Sequence, residues 1–138
     1  LFIPIVDHIQ DRLGRGTFEL FRLRLAMLHH NHFVEDFNTP HTDHDSKHMT
    51  GIYYFHDSDG DTILFDQCDD PNGEVNRRIN EIFTQDYTIA ERVKPEKNKF
   101  VLFDGNRFHA SSNPKINQYR IVLNFNFRGM PDDILTSP

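Results

Sequence analysis

Residues 118–127 read Q-Y-R-I-V-L-N-F-N-F, and this stretch decides the fold class because its apolar side chains recur at every second position. In an extended chain successive side chains point to opposite faces, so the alternation predicts a strand with two different faces. One face begins at Tyr119 and is apolar throughout. The other begins at Arg120 and continues through Val122, Asn124 and Asn126, so it is either solvated or turned toward a site.

The rest of the chain contains further short segments with the composition of strands, separated by turn residues. They are residues 21–27, 48–55, 62–65, 87–93, 99–103 and 108–112. The turn Asp-Ser-Asp-Gly at residues 57–60 predicts a hairpin between the second and third of these segments. Apolar residues at helical spacing predict only two short helices, at residues 5–13 and 75–83. This balance predicts a mostly β sandwich, barrel or jelly roll.

Length and charge narrow the class of protein. The chain has 138 residues, with 15 basic and 21 acidic side chains and a net charge of −6. One domain of this size can bury a core, and the acidic balance makes nucleic acid an unfavourable partner. No apolar run reaches the roughly 20 residues that a membrane-spanning helix needs, so no membrane partner is expected. The single cysteine, Cys68, cannot form an internal disulfide and fits a reducing compartment.

The chain has nine histidines, and seven of them lie between residues 29 and 56. His41 and Asp43 are two positions apart, so an extended backbone places both side chains on one face. His109 is the only histidine in the last eighty residues and lies on a predicted strand. Two imidazoles and one carboxylate leave open positions on a metal, as in non-haem Fe(II) oxygenases, although zinc accepts the same donors. Each residue taken singly also fits an ordinary surface or structural role.

Arg120 lies 11 residues after His109, at the start of the last predicted strand. A guanidinium offers a rigid fork that matches a carboxylate, although a surface ion pair would use it equally well. The strand alternation turns Tyr54 and Thr62 to faces from which their hydroxyls would reach the same anion. The alternative for Tyr54 is core packing.

The order of these residues resembles the 2-oxoglutarate- and Fe(II)-dependent dioxygenase superfamily. It consists of His41-x-Asp43, the sequences TGIYY and DGDT at residues 50–54 and 59–62, His109 and Arg120. Within the superfamily the sequence looks most like the prolyl 4-hydroxylase-like branch, including its small bacterial and viral members. The resemblance covers residues 18–127. It implies a double-stranded β-helix, the cupin-like jelly roll, with one or two flanking helices.

The resemblance also implies a role for each matching residue. The iron ligands would be His41, Asp43 and His109, and the 2-oxoglutarate partners would be Arg120, Tyr54 and Thr62. Such an enzyme uses Fe(II), O2 and 2-oxoglutarate, is supported by ascorbate, and releases succinate and CO2. Its substrate would be a C–H bond, most simply that of a prolyl residue in a peptide or protein. The expected organisation is one dioxygenase domain over residues 1–138, with a core at 18–127 and a tail at 128–138, in a bacterial cytoplasm or that of a virus-infected host.

The sequence departs from the family pattern at several positions, and we expect these changes to affect substrate more than iron. Asn31 and His32 replace a frequent tyrosine, residues 60–61 replace a Gly-Gly pair, and Asn124 and Asn126 replace aromatic residues. A polar or structural role is expected for the remaining histidines of the cluster, which are His29, His30, His32, His44, His48 and His56.

Two other functions remain open at this point. The first keeps the same cofactors but oxidises a nucleobase or a free small molecule, and the net charge of −6 disfavours the nucleobase. The second is a non-catalytic, cupin-like jelly roll that binds zinc or another ligand. Arg120 distinguishes this second alternative, because a simple zinc site has no need of a carboxylate fork.

Overall fold

The structure, a computed structural model, describes residues 7–9, 11, 18–31, 36–70 and 86–130. Within those ranges the strands are β1 (Glu19–His29), β2 (Met49–Tyr54), β3 (Thr62–Cys68), β4 (Ile89–Val93), β5 (Phe100–Asp104), β6 (Arg107–Ser111) and β7 (Tyr119–Arg128). Each strand overlaps a segment that the sequence pattern predicts. Residues 7–9 and 11 of the first predicted helix are helical. The second predicted helix, at 75–83, and most of the predicted tail lie outside the described residues.

The strands form two antiparallel sheets. The larger sheet has the order β1-β7-β2-β5, and the smaller one has the order β4-β3-β6. The sheets face each other, since Ile52 and Val122 of the larger sheet share an apolar cluster with Leu64 and Val93 of the smaller one. This arrangement is the mostly β jelly roll that the sequence predicts. None of the helical residues that the structure describes belongs to a segment long and apolar enough to cross a bilayer.

Both faces of β7 are covered, and by different layers. The strand lies between β1 and β2, so both of its edges are hydrogen-bonded, and its side chains are buried on both faces over most of its length. Its apolar face, with Phe125 and Phe127, packs in a cluster that includes Ile9 of the N-terminal helical residues. Its polar face turns toward the smaller sheet and is not solvated, because Asn126 is 1% exposed. Buried amides need hydrogen-bond partners, so the asparagines of this face must find theirs inside the fold.

The predicted hairpin between β2 and β3 is wrong. β2 pairs with β5 and β7, whereas β3 pairs with β4 and β6, so the two strands belong to different sheets. Turn residues show where the chain leaves a strand, but they do not determine which strand becomes its neighbour. Residues 55–61 therefore carry the chain from one sheet to the other, and side chains from both sheets meet beside this crossing.

Asp59 gives the crossing a specific structural role. Its Oδ2 accepts hydrogen bonds from the backbone N–H groups of Lys115 and Ile116, at 2.9 Å each, and its Oδ1 accepts one from Asn117 at 3.0 Å. One carboxylate thus fixes the connection between β6 and β7. Partial burial opposes ionisation of Asp59, but these backbone donors outweigh it and lower the pKa of the carboxyl.

We expect the β6–β7 connection to loosen in acid. Because the folded-state pKa of Asp59 is lowered, its stabilising contribution is present above the unfolded value of 3.8 and is lost as the pH falls below it. The backbone amides of residues 115–117 should then lose protection from hydrogen exchange, after correction for intrinsic rates. Asp59→Asn should show the same loss at neutral pH. Asp57→Asn is the matched control, because Asp57 accepts from Lys97 instead, and equal protection in all three proteins would contradict the assignment.

Candidate functional site

Three side chains of metal-binding type converge between the sheets. They are His41, Asp43 and His109, and together they form what we call the metal-type group. His41 and Asp43 come from the segment before β2, and His109 comes from β6. One donor atom from each lies within 4.8 Å of the others, and within the described ranges no second group of this kind is found. Asp43 Oδ1 lies 3.4 Å from His41 Nε2 and 3.3 Å from His109 Nε2. The structure therefore brings together the three residues that the sequence singles out as ligands.

The two imidazoles are oriented by backbone groups. The Nδ1 of His41 lies 3.1 Å from the carbonyl oxygen of Thr39, and that of His109 lies 3.0 Å from the carbonyl oxygen of Arg107. Donation from Nδ1–H to a carbonyl leaves the Nε2 lone pair free to bind a metal. The backbones of the two histidines also pair, with reciprocal N–H···O bonds of 2.9 and 3.0 Å. The hydrogen bond to Asp43 raises the pKa of His41, against the opposing effects of burial and of Arg24.

Asp43 is held as a charged carboxylate. Its Oδ2 accepts hydrogen bonds from Asn124 Nδ2 at 3.1 Å and from Asn126 Nδ2 at 3.0 Å, while Oδ1 faces the two imidazoles. Burial opposes its ionisation, yet hydrogen bonds from the imidazoles of His109 and His41 in their protonated, metal-free form and from Asn126 outweigh burial and hold its pKa well below the usual range. A permanently ionised carboxylate is the form that ligates a metal.

The roles of Asn124 and Asn126 correct an expectation from sequence. We expected both to affect substrate more than iron, but their amides bind the carboxylate of the metal-type group. The available signal was the alternation of β7, which places both asparagines on the same face as Arg120.

Thr50 and Arg22 also contact Asp43, and neither of them was identified from the sequence as part of the site. The hydroxyl of Thr50 lies 3.5 Å from Asp43 Oδ2, and Arg22 donates to the backbone oxygen of Asp43 at 3.1 Å.

Asn126→Leu should weaken metal binding by about 10- to 100-fold, the usual effect of losing a partner of a metal ligand. The physical reason is that Asp43 loses a donor that favours its ionised form and fixes its orientation. Titration of Mn(II) followed by paramagnetic resonance measures the affinity. Gln118→Leu is the control, because it removes an exposed amide just before β7. Equal affinities for the two variants would mean that Asn126 has no part in metal binding.

A second polar group lies in the same interior. Arg120 is 4% exposed, and its Nη2 donates to Thr62 Oγ1 at 2.7 Å. The hydroxyls of Tyr54 and Thr62 are 2.7 Å apart, and the guanidinium carbon lies 5.9 Å from the centre of the Tyr54 ring. The three residues predicted as co-substrate partners thus meet, with Thr62 contributed by the smaller sheet. Gly60 permits this approach, because a Cβ there would lie 2.5 Å from Ser112 O and 3.1 Å from Arg120 Cδ.

Arg120 is a buried cation that no carboxylate contacts in the described part of the chain, and Asp61 acts on it only from a distance. Its Nε is buried and has no hydrogen-bond partner, and within the described ranges no carboxylate forms an ion pair with it. Burial lowers its pKa, since the charged form is poorly solvated there. An unpaired interior charge is costly, so this group is suited to an incoming carboxylate. Burial raises the pKa of Tyr54, which therefore remains a hydrogen-bond donor at neutral pH.

One cavity of about 350 Å³ joins the two groups. Its walls include both imidazoles, Arg120 and Thr62, and the apolar side chains of Ile52 and Val122 separate the polar ends. A small acid that binds a metal at one end and carries a carboxylate at the other would contact both groups. Two imidazoles and one carboxylate with further positions open to the cavity form the donor set of non-haem Fe(II) sites, so the residues present fit that metal.

The other histidines of the cluster have different partners. His44 accepts hydrogen bonds from Ser46, and His48 Nδ1 lies 2.7 Å from the Ser46 carbonyl oxygen. His56 Nε2 accepts the backbone N–H of Ile121 at 3.1 Å. The described members therefore lie outside the metal-type group, and His32 lies outside the described residues.

Comparisons with known proteins identify the fold and the family. The structure is similar to a crystal structure of an N-substituted L-amino acid dioxygenase from Burkholderia ambifaria AMMD, with a TM-score of 0.59 and 13% identity, over 90% of this chain and 61% of that one. It is also similar to the non-haem α-ketoglutarate-dependent epimerase SnoN from nogalamycin biosynthesis, with a TM-score of 0.61 and 12% identity, over 91% of this chain and 54% of that one. The chain thus spans less than two thirds of either neighbour.

A search of curated protein sequences finds no match. The sequence profile of the 2OG-Fe(II) oxygenase superfamily, however, matches residues 26–128, which include His41, Asp43 and His109 as well as Arg120, Tyr54 and Thr62. That match covers most of the chain, and the two solved structures share its fold. The chain belongs to the 2OG-Fe(II) oxygenase superfamily.

Proposed function

We propose that the chain is an oxygenase domain that hydroxylates an unactivated C–H bond with Fe(II), O2 and 2-oxoglutarate. The observation that carries the proposal is the unpaired guanidinium of Arg120 in the same cavity as the side chains of His41 and His109. A metal-binding jelly roll without oxygenase activity would gain nothing from a buried cation without a counterion. This observation therefore disfavours the non-catalytic alternative.

His41, Asp43 and His109 would hold the iron through two Nε2 atoms and one carboxylate oxygen. When bound, the iron would supply the activation of O2 that couples conversion of 2-oxoglutarate into succinate and CO2 to oxidation of the substrate. Thr39 and Arg107 fix the imidazole tautomers through their carbonyl groups. Charge, orientation and tautomer of the ligands are thus set by this chain's own residues.

Arg120 would bind the distal carboxylate of 2-oxoglutarate, with Tyr54 and Thr62 as hydroxyl partners. The guanidinium supplies charge and a planar pair of donors, and the protonated Tyr54 hydroxyl supplies a neutral donor. Ile52 and Val122 line the cavity between this group and the imidazoles and give that region an apolar wall. Fixing both ends of one small molecule positions its reactive carbons before the substrate enters.

The substrate we propose is an N-substituted amino acid, of which a prolyl residue of a peptide or protein is the simplest case. The resemblance of the ordered motifs from His41 to Arg120 to the prolyl 4-hydroxylase-like branch supports the prolyl residue. The printed name of the Burkholderia neighbour describes a dioxygenase of N-substituted L-amino acids, and the nitrogen of a peptidyl proline is likewise substituted. The family resemblance and the name of the neighbour thus both point to a substrate whose amino-acid nitrogen is substituted.

Succinate formation tests the proposal. The protein is incubated with Fe(II), ascorbate, 2-oxoglutarate and proline-containing peptides, and succinate and substrate masses are measured together. We expect turnover that requires Fe(II) and is blocked by Zn(II), with a mass gain of one oxygen in a substrate. Metal-dependent thermal stabilisation by 2-oxoglutarate, measured with Mn(II) in the absence of O2, gives a second readout. A correctly metallated protein that shows neither stabilisation nor turnover would refute the proposal.

A further inference from the structure

Arg24 lies on β1 and faces the same cavity as the metal-type group. It lines the cavity together with His41, His109 and Arg120. In the register of the larger sheet Arg24 lies directly opposite Asn124, whose amide binds the carboxylate of Asp43. Directly opposed residues on antiparallel strands share a face, so this guanidinium belongs to the wall of the site rather than to the outer surface of the sheet.

The guanidinium of Arg24 has no structural task among the described residues. Arg22, two positions earlier on the same strand, donates to the backbone oxygen of Asp43. Arg24 forms no hydrogen bond or ion pair with the part of the chain that the structure describes. It is solvent-exposed, so it lies where a molecule entering the cavity would meet it.

The charges around the cavity balance without the positive charge of Arg24. Its lining includes two guanidinium groups and no acidic side chain among the described residues, although the whole chain carries a net charge of −6. A divalent iron and Arg120 together carry three positive charges, and Asp43 and the two carboxylates of 2-oxoglutarate carry three negative ones, while Asp61 lies outside the lining and faces Arg92 and Lys94 as well as Arg120. The loaded site would thus be neutral without Arg24. One positive charge remains for a further ligand.

We infer that Arg24 binds a carboxylate of the organic substrate, so that the substrate is an acid: an N-acylated amino acid, or the last residue of a peptide, with its carboxylate free. This inference rests on the proposed function and makes its substrate class more specific. A planar fork of donors at the wall of the cavity matches a carboxylate in charge and shape. An internal residue of a peptide has an amide at that position and leaves the guanidinium without a counterion.

Matched acids and amides test the inference. N-acetyl-L-proline is compared with N-acetyl-L-prolinamide, and the same pairs are made from leucine and phenylalanine. We expect the acid to be oxidised with a kcat/KM at least about 10-fold higher than that of its amide, the effect of a charged hydrogen bond. Arg24→Gln should lower kcat/KM for the acid by about 10- to 100-fold and leave that for the amide unchanged. Arg24→Lys should recover part of the loss, because it restores the charge without the fork.

Binding measurements separate the two carboxylates that Arg24 could meet. Calorimetry with Mn(II) and no O2 gives the Kd of the acid for the protein loaded with 2-oxoglutarate, and separately the Kd of 2-oxoglutarate. We expect Arg24→Gln to weaken the acid and to change the 2-oxoglutarate Kd by less than about two-fold. Arg92→Gln is the matched control, because it removes the same charge from an exposed ion pair with Asp36.

Three results would overturn the inference alone, and a fourth would overturn the proposed function with it. Equal weakening of 2-oxoglutarate in Arg24→Gln would assign the arginine to the co-substrate. Equal oxidation of acids and amides would remove the need for a carboxylate. Wild-type protein that turns over 2-oxoglutarate but neither binds nor oxidises any of the acids would refute the inference and leave the proposed function intact, whereas absence of metal-dependent 2-oxoglutarate binding would refute both.

Discussion

Replacing Arg120 with methionine should strongly weaken binding of 2-oxoglutarate and yet leave the protein at least as stable as the wild type. Two charge-assisted hydrogen bonds to a carboxylate are lost, which should weaken 2-oxoglutarate by at least about 100-fold. The variant also removes a buried charge that lacks a counterion. Thr62 keeps its hydrogen bond with Tyr54, so no new unpaired group is left. We expect the free energy of unfolding to rise by about 1 kcal/mol or more.

Denaturant titration and anaerobic binding measure the two effects of this variant. Arg128→Met is the matched control, because Arg128 lies at the other end of β7 and packs over the ring of Phe21. We expect it to bind 2-oxoglutarate normally and to gain no stability. Normal 2-oxoglutarate binding by Arg120→Met would refute the role of Arg120. A large loss of its stability would mean that the guanidinium is paired in a way that the structure does not describe.

Asp43→Asn should remove the metal while preserving the fold. The asparagine oxygen still accepts from Asn124 and Asn126, and its amide group can donate to an unprotonated imidazole of His41 or His109. The negative charge is lost. A four-ligand metal site is worth about 10–16 kcal/mol, or about 3 kcal/mol per ligand, so the affinity should fall by about 100-fold or more. Turnover of 2-oxoglutarate should fall below detection.

Titration of Mn(II) and circular dichroism test this second variant together. Asp36→Asn is its control, because it removes a carboxylate from an exposed ion pair with Arg92. We expect that control to bind metal with wild-type affinity. If Asp43→Asn also bound Mn(II) with wild-type affinity, His41 and His109 would need another partner as the third ligand.

The sequence predicted the positions of the strands and the residues that converge, but not the pairing of the strands. Alternation along residues 118–127 determines which side chains share a face, and it correctly grouped Arg120 with Asn124 and Asn126. It does not determine the neighbouring strand, because the preference of a strand for its partner is set by contacts distant in sequence. The predicted hairpin between β2 and β3 failed for this reason.

The asparagines show a second limit of sequence reasoning. Asn124 and Asn126 stand where the family often has aromatic residues. That difference alone does not reveal which group each side chain contacts. Only the fold places Asp43, from a distant segment, against both amides. Net charge has the same limit. The value of −6 is a sum over the whole chain, so it does not reveal that one cavity wall carries Arg24 and Arg120.

The single bridge between His41 and His109 bears on how long the protein would keep its iron. Beyond that bridge and one bond from Asn38 to Ser111, the described structure shows no backbone ladder between residues 38–43 and β6, and side-chain bonds to Asp43 supply the rest of the attachment. Segments with so few lateral bonds open far more often than whole sheets unfold. Release of the metal would then follow local opening of this segment, with a rate independent of global unfolding. Iron would exchange on the timescale of a loop, while the sheets that carry Arg120, Tyr54 and Thr62 remain closed.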